Sequence, residues 1–478
     1  MVAGLASPTG SRRRMLVSAL GFAILGVAAS AAAVDDTRTL GVERIVALIE
    51  ASSDGETIQI PAGTYVGNLV IERSVVLEGR GEVVIDGGGE GTVVTILAPG
   101  VTLRGLHVRG SGAGVDREPA GIRAEVGPSI IEDNVLEDVL FGIDLRMASD
   151  SIVRRNRIVG MPLEAGRRGD GIRLWWSHDC VVSDNWLRGV RDLVLWYSER
   201  LTIERNDVAD SRYGLHFMYS HETNVADNRL HQNSVGIYLM YSRRITLRGN
   251  SLRQNRGPSG YGAGLKDCDD ILLEDNLFVA NRVGVYLDNS PSSVDAVGRI
   301  ANNQFVYNKV GMLVTPNTRR NVITENGFVE NEEQVTVHGR GELSGNAFHE
   351  LTEAGPRGNY WSDYPGFDLD GDGLGDLAYE PRYLFEDLLA REPNLRLFVH
   401  SPAQRAIEFT ARALPELRPA PKFVDPDPLM SPPASRRVGP GPDRGNLGQV
   451  ALGLALLGVS TAIGLGALRA AAPGTEVC

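Results

Sequence analysis

Gly171-Ile172-Arg173-Leu174-Trp175 sets a phrase that returns about every 22 positions: Leu193-Val194-Leu195-Trp196, Gly214-Leu215-His216-Phe217-Met218, Gly236-Ile237-Tyr238-Leu239-Met240 and Gly284-Val285-Tyr286-Leu287-Asp288. Self-similarity at such a period means stacked units, none of which can bury its apolar face alone. Inside the phrase apolar residues alternate with variable ones, and a period of two specifies a strand with one side buried. An asparagine column keeps the same beat at Asn134, Asn156, Asn185, Asn206, Asn228, Asn250, Asn276, Asn303, Asn326 and Asn346. From Asn228 to Asn326 a second asparagine follows five residues later, at Asn233, Asn255, Asn281, Asn308 and Asn331. Asparagine tolerates left-handed backbone, and its amide can bond the identical side chain one layer away, so both columns read as structural.

Two strand phrases and a corner per repeat, with no long amphipathic helical pattern between them, predict an all-β fold: a right-handed parallel β-helix with coils about 4.8 Å apart. A leucine-rich horseshoe would need a Leu-rich consensus and a helical half-repeat, and neither is present. A looser opening, Thr57-Ile58-Gln59-Ile60, Leu69-Val70-Ile71, Val75-Val76-Leu77 and Val83-Val84-Ile85, resembles the pectin-lyase-like superfamily. That resemblance implies a short helix, here Val42 to Glu50, capping the first coil. The expected order along the chain is a signal peptide at 1–33, the β-helix at 34–354, and a cap and partner-binding extension at 355–418. A proline-rich linker at 419–446 and a transmembrane helix at 447–469 follow.

The two ends suggest the compartment. Arg12-Arg13-Arg14 precedes an apolar run from Met15 to Ala28 and the small residues Ala29-Ser30-Ala31-Ala32-Ala33, the pattern of a secretory signal and a partial match to a twin-arginine one. Leu447 to Leu468 is uncharged and almost continuously apolar, closed by Arg469, and about 20 such residues span hydrocarbon. These features predict a periplasmic protein anchored by its C-terminus. A net charge of -12, with 60 acidic side chains, argues against nonspecific binding to nucleic acid. Of the three cysteines, Cys180 and Cys268 sit at different offsets several coils apart, too far to bridge, and Cys478 lies beyond the apolar segment.

Chemistry in a solenoid must come from side chains that point outward. Counting from the Gly of the phrase, positions +1 and +3 are apolar and face in, so +2 and +4 face out on one flat sheet. Position +4 reads Arg146, Trp175, Trp196, Met218, Met240, Lys266 and Asp288 through successive coils, and position +2 reads Asp144, Arg173, Val194, His216, Tyr238, Gly264 and Tyr286. Soluble proteins seldom leave a contiguous apolar stripe uncovered. Two thioethers one coil apart lie within reach of a single ion, and His216 can add an imidazole from about 6.6 Å along the same strand face. Thioether plus imidazole selects monovalent copper over zinc or calcium. Trp175 and Trp196 are placed to shield such a site and, with Tyr238, to form a docking face. Position +7 adds His178, Glu199, His221 and Arg243, so His178 and His221 are further candidate ligands around a bend. Covering of the stripe by a loop or by the C-terminal segment, and docking of a protein, stand beside the metal reading.

Beyond the last coil comes Gly358-Asn359-Tyr360-Trp361-Ser362-Asp363-Tyr364, then Asp368-Leu369-Asp370-Gly371-Asp372-Gly373 and Asp376. Asp368, Asp370, Asp372 and Asp376, with Gly373 at the bend, match the first part of an EF-hand calcium loop. Tyr379 stands where the loop's final Glu belongs. The bland alternative is an Asp/Gly turn cluster that closes the solenoid.

The Gly-Ile-Tyr-Leu-Met-Tyr-Ser type of coil, the Gly-Asn-Tyr-Trp-Ser-Asp-Tyr phrase and the Asp-Gly-Asp-Gly run together resemble the NosD family over roughly residues 35 to 425. The resemblance implies a periplasmic maturation factor of nitrous oxide reductase. Such a factor has no hydrolase activity of its own and works with an ABC transporter of NosF and NosY, on copper delivered by the chaperone NosL. The C-terminal apolar segment departs from the family's simpler soluble pattern. The rival from another class is an enzyme on acidic polysaccharide, with Asp144, Arg146 and Arg173, or Lys266, Asp267 and Asp288, as its converging charges. A third reading is an adaptor scaffold that handles no metal.

Overall fold

The computed structural model of the protein describes residues 39–434 apart from 317, 340–342, 354 and 400. The chain winds into a right-handed parallel β-solenoid of about 13 turns. Its strands fall into one sheet of 14 and two of 12, and hydrogen-bonded neighbours within each are one coil apart in sequence. Each coil therefore gives one strand to each of three sheets, not the two that the periodicity suggests. The overlooked third strand is only three residues long in most coils, as in Trp186–Arg188 and Asp207–Ala209, too short for alternation to register. The core is a continuous apolar column of Ile, Leu, Val and, late in the chain, Phe. A helix, Glu43–Ala51, closes its first end with Ile45 and Ile49 turned inward.

The asparagine columns hold the coils in register. Asn228 Oδ1 accepts both the backbone N–H and the Nδ2–H of Asn206, each at 3.0 Å, while Asn206 Nδ2 also reaches Val182 O at 2.8 Å. Each layer thus satisfies the turn amide of the layer before, which would otherwise be buried and unpaired at a cost of about 1–3 kcal/mol. The left-handed residue is not the asparagine. It is its predecessor: Asp133, Arg155, Asp184, Arg205 and Asp227 have φ between 52° and 58°, and Gly249, before Asn250, has 66°. The column also ends elsewhere than the spacing predicts. Asn326 hands on to Asn359, whose Oδ1 takes the Asn326 amide at 3.1 Å, whereas Asn346 pairs with Asn321 in a separate column. A hairpin insertion, Glu350–Thr352 with Gly355–Arg357, lengthens the final coil and displaces the beat.

The Asn-Tyr-Trp phrase closes the core. Asn359 completes the ladder, and Trp361 stacks at 4.5 Å on Phe328, the last of the rings Phe278, Phe305 and Phe328 that lie 4.7–4.9 Å apart. Two short helices, Leu384–Arg391 and Pro402–Ala413, follow. The chain then returns across the last coil. Phe423 stacks on Phe348 at 4.0 Å, Asp425 Oδ2 accepts the Trp361 indole N–H at 2.9 Å and the Asn359 amide at 2.8 Å, and Lys422 pairs with Glu386 at 2.9 Å. Residues 419–434, expected to begin a spacer, are therefore a strap on the solenoid, because Phe423 and Asp425 are buried there. Cys180 and Cys268 are both free and buried. Among the described residues no helix is long and apolar enough to cross a membrane, and the expected signal peptide, the 447–469 span and Cys478 lie outside them.

Burial pushes the Asp425 carboxyl up to about 6, an effect its hydrogen bonds from Trp361 and Asn359 only partly offset. Between the ordinary 3.8 and about 6 the native state keeps a proton that the unfolded chain has lost. The contribution of Asp425 to stability therefore grows as pH falls through about 6 and is complete below the unfolded value. Wild type minus Asp425→Asn stability, from urea midpoints, should rise by up to about 3 kcal/mol between pH 7 and pH 4. A difference that stays flat or falls on acidification contradicts this.

Candidate functional site

One of the 12-stranded sheets carries the repeated phrase, and its register puts the outward residues in vertical files. Arg146, Trp175, Trp196, Met218, Met240, Lys266 and Asp288 are successive Cα partners, as the spacing predicts. Met218 and Met240 are half-buried neighbours one coil apart, Trp196 is half-buried beneath them, and Trp175 is 39 % exposed. The column is charged at both ends and apolar in the middle.

The +2 file is also in register, but much of it is not exposed. Asp144, Arg173, Val194 and His216 are buried, while Tyr238 and Tyr286 are half-buried. Charged members survive burial by pairing. Asp144 accepts hydrogen bonds from Arg123, Arg146 and Arg173 at 2.9–3.0 Å, and Glu118, from a loop folded over the sheet, takes two more from Arg173 at 2.9 Å. Burial alone would raise Asp144, yet these guanidinium bonds hold it below the usual carboxylate range. With its lone pairs so engaged, Asp144 has little capacity left to act as a general base. At the other end Lys266 and Asp288 are Cα partners, and Asp267 accepts from Asn289 at 2.6 Å.

His216 lies in the middle of the +2 file, only 5 % exposed. Its ring is gripped edge-on by Tyr213 at 4.9 Å and by Trp196 at 5.6 Å. Nδ1 is 3.2 Å from Asp192 Oδ2, while Nε2 is buried and meets no hydrogen-bonding partner. The indole N–H of the adjacent Trp196 is likewise buried and unpartnered. Buried polar groups are almost always satisfied, so these two orphans, on adjacent coils of the face that carries Met218 and Met240, stand out as unmet hydrogen-bonding capacity.

His178 and His221 do not join this group. They stand at the corner beyond the strand, where His178 Nδ1 accepts the Glu199 amide and His221 Nδ1 accepts the Arg243 amide, each at 3.2 Å. A neutral imidazole whose Nδ1 accepts carries its proton on Nε2, which leaves neither nitrogen free for a metal. Burial, then the nearby Arg243, holds His221 below the usual histidine range, which favours this neutral form. Of the calcium candidates, Asp368, Asp370 and Asp372 bring carboxylate oxygens within 4.8 Å of one another. Asp376 is not one of this group; its carboxylate accepts the Leu369 amide at 2.6 Å.

Two features escape a reading by spacing. Next to the Met/Trp column, at +5, the rings of Trp176, Tyr197, Tyr219 and Tyr241 form a continuous stack with centroids 4.9–5.3 Å apart. All four residues have φ of 51–53°. A left-handed residue costs about 1–2 kcal/mol, and stacking worth about 0.5–1.5 kcal/mol per pair offsets it. The recurrence of an aromatic at one offset was the available signal. Behind it Ser177, Ser198, Ser220 and Ser242 repeat the logic of the asparagines, the last three hydroxyls each accepting the amide of the serine before at 3.0–3.3 Å. Asp192 had no such signal, because it precedes a phrase whose Gly is missing.

Residues 159–366 match the model of a family described as periplasmic copper-binding protein (NosD). A Pseudomonas aeruginosa relative, named as a probable ABC transporter binding protein NosD, is 32 % identical over 81 % of this chain and 91 % of its own. A Stutzerimonas stutzeri relative of the same name is 31 % identical over 80 % and 89 %. Among solved structures, the A-module of a mannuronan C-5 epimerase from Azotobacter vinelandii is 14 % identical over 64 % of this chain and 93 % of that one, with a TM-score of 0.38.

Proposed function

The chain belongs to the NosD family, and from that membership and the geometry of its sheet we propose that it is an exported copper-handling maturation factor. Its cargo is monovalent copper, taken up on the sulfurs of Met218 and Met240 and on His216 Nε2. The single observation that carries this reading is the buried, unpartnered imidazole nitrogen on the same strand face as two thioethers in register. Soft sulfur with imidazole suits copper(I) and is poor for calcium or magnesium. Trp175, Trp196 and Tyr238 flank the ion's place and make a surface on which a copper donor or acceptor can sit.

The remaining roles follow the family. Copper arrives from a chaperone of the NosL type and leaves for the copper centres of nitrous oxide reductase. An ABC transporter of the NosF and NosY type supplies ATP hydrolysis, so this chain needs no catalytic residue. The segment from Arg382 to Leu417 is assigned to the transporter. Its support is a set of large apolar side chains left in water, Leu397, Phe398, Phe409 and Leu414, which a solitary cap would have no reason to expose. Export by residues 1–33 and anchoring by residues 447–469 complete the proposal. The polysaccharide-enzyme reading is disfavoured by the saturated Asp144, whereas an adaptor that handles no metal is an outcome of the copper test.

A second cation has its own observation. The three converging carboxylates of Asp368, Asp370 and Asp372 suit calcium, which would tighten the loop beside the strap and play no part in copper transfer.

Copper(I) titration of the full chain against a competing chelator is the test of the first reading. Met218→Ala with Met240→Ala should weaken binding at least about tenfold, which is 1.4 kcal/mol. Unchanged affinity rejects this site, and no binding by wild type leaves the adaptor. For the loop, calcium should raise the melting temperature and Asp370→Asn should abolish that rise. A chelator-insensitive melting curve contradicts it.

A further inference from the structure

Asp192 is completely buried on the strand Asp192–Trp196, one coil before His216. Its Oδ1 accepts the Tyr213 amide at 3.1 Å and Arg212 Nε at 3.0 Å, and its Oδ2 accepts from Arg212 Nη2 and lies 3.2 Å from His216 Nδ1. Both oxygens of this carboxylate thus face N–H donors, the Arg212 guanidinium and the Tyr213 amide, so it acts as an acceptor on each. An ionised carboxylate can only accept, so the bond to His216 requires the proton on Nδ1. In the neutral ring the lone pair is then on Nε2, the buried atom that has no protein partner.

The backbone is shaped for this contact. Between Asp192↔Tyr213 and Val194↔His216 the register slips, giving the later strand one extra residue. Such bulges re-aim a side chain, and here the outcome is a ring that leans back toward the preceding coil. The contrast with His178 and His221 is instructive. Those rings accept a backbone amide at Nδ1 and so carry the opposite tautomer, with no lone pair to offer at Nε2. Only one of the three candidate histidines is held by a carboxylate.

We propose that Asp192 is the positioning residue of His216, fixing the tautomer and orientation that present the Nε2 lone pair beside Met218, with Arg212 neutralising the buried carboxylate. The inference rests on the copper reading for what Nε2 binds, but the hold on the ring is independent of it. Carboxylates behind metal-ligating histidines act in this way, and their loss usually weakens metal binding about 10–100-fold.

The test uses the full chain with ¹⁵N-labelled histidine. In long-range ¹H–¹⁵N spectra without metal, the His216 signals, assigned by their loss in His216→Gln, should report the Nδ1–H tautomer. Asp192→Asn, of the same shape, should shift that population toward Nε2–H. It should also weaken copper(I) binding about 10–100-fold in chelator competition, whereas Met218→Ala should weaken binding without moving the tautomer. An Nε2–H tautomer in wild type overturns the proposal, and this arm stands even if Asp192→Asn fails to fold. So does an Asp192→Asn protein with tautomer and affinity both unchanged. Wild type that holds the Nδ1–H form yet binds no copper(I) supports the positioning role and removes the copper reading alone.

Discussion

Vertical register between coils is the constraint on which everything else depends. Parallel strands about 4.8 Å apart bring residues one winding apart into contact, whatever their chemistry. Sequence distance therefore ceases to matter: Trp196, Met218 and Met240 are neighbours because 22 residues make one turn. What holds the register is polar. Two buried asparagine columns and a serine column each turn a backbone amide that would be orphaned into a hydrogen bond with the next layer. Apolar packing alone would tolerate sliding of one coil over another. The amide columns do not, since a slip would break a bond in every layer at once.

That rigidity lets the outer sheet carry a graded surface. At one end a buried ionic group gathers Asp144 and Glu118 under Arg123, Arg146 and Arg173; at the other stand Lys266 and Asp288. Between them are indole, thioether and imidazole. The ring stack of Trp176, Tyr197, Tyr219 and Tyr241 walls the adjoining corner. In the proposed function the solenoid acts as a stiff support, holding ligands from different coils at a spacing that folding has already fixed, so binding costs little reorganisation.

The parallel β-helix was legible because its repeat is written in side chains that must face inward. Ile172, Leu193, Leu215 and Ile237 report their direction by being apolar. The outward +4 file was legible for the same reason, as the complement of the inward one. Three things were not. The third strand of each coil is too short to alternate. The surroundings of Asp144, Arg173 and His216 depend on Glu118, from a loop over the sheet, and on Tyr213, which opens the His216 strand just before the repeated phrase. The end of the asparagine ladder was misplaced at Asn346 because that residue, of a separate column, falls 20 residues after Asn326, while the hairpin insertion moves the true successor to Asn359. Asp192 was invisible for a related reason: its importance arises from a one-residue register slip that only the folded backbone reveals.

The most direct measurement is the X-ray absorption fine structure of the full chain loaded with one equivalent of copper(I). The account predicts a low-coordinate ion with two sulfur scatterers and one imidazole nitrogen, the sulfur shell shrinking when Met240 is replaced. A first shell of nitrogen and oxygen alone, or a sulfur shell indifferent to Met218 and Met240, would contradict it.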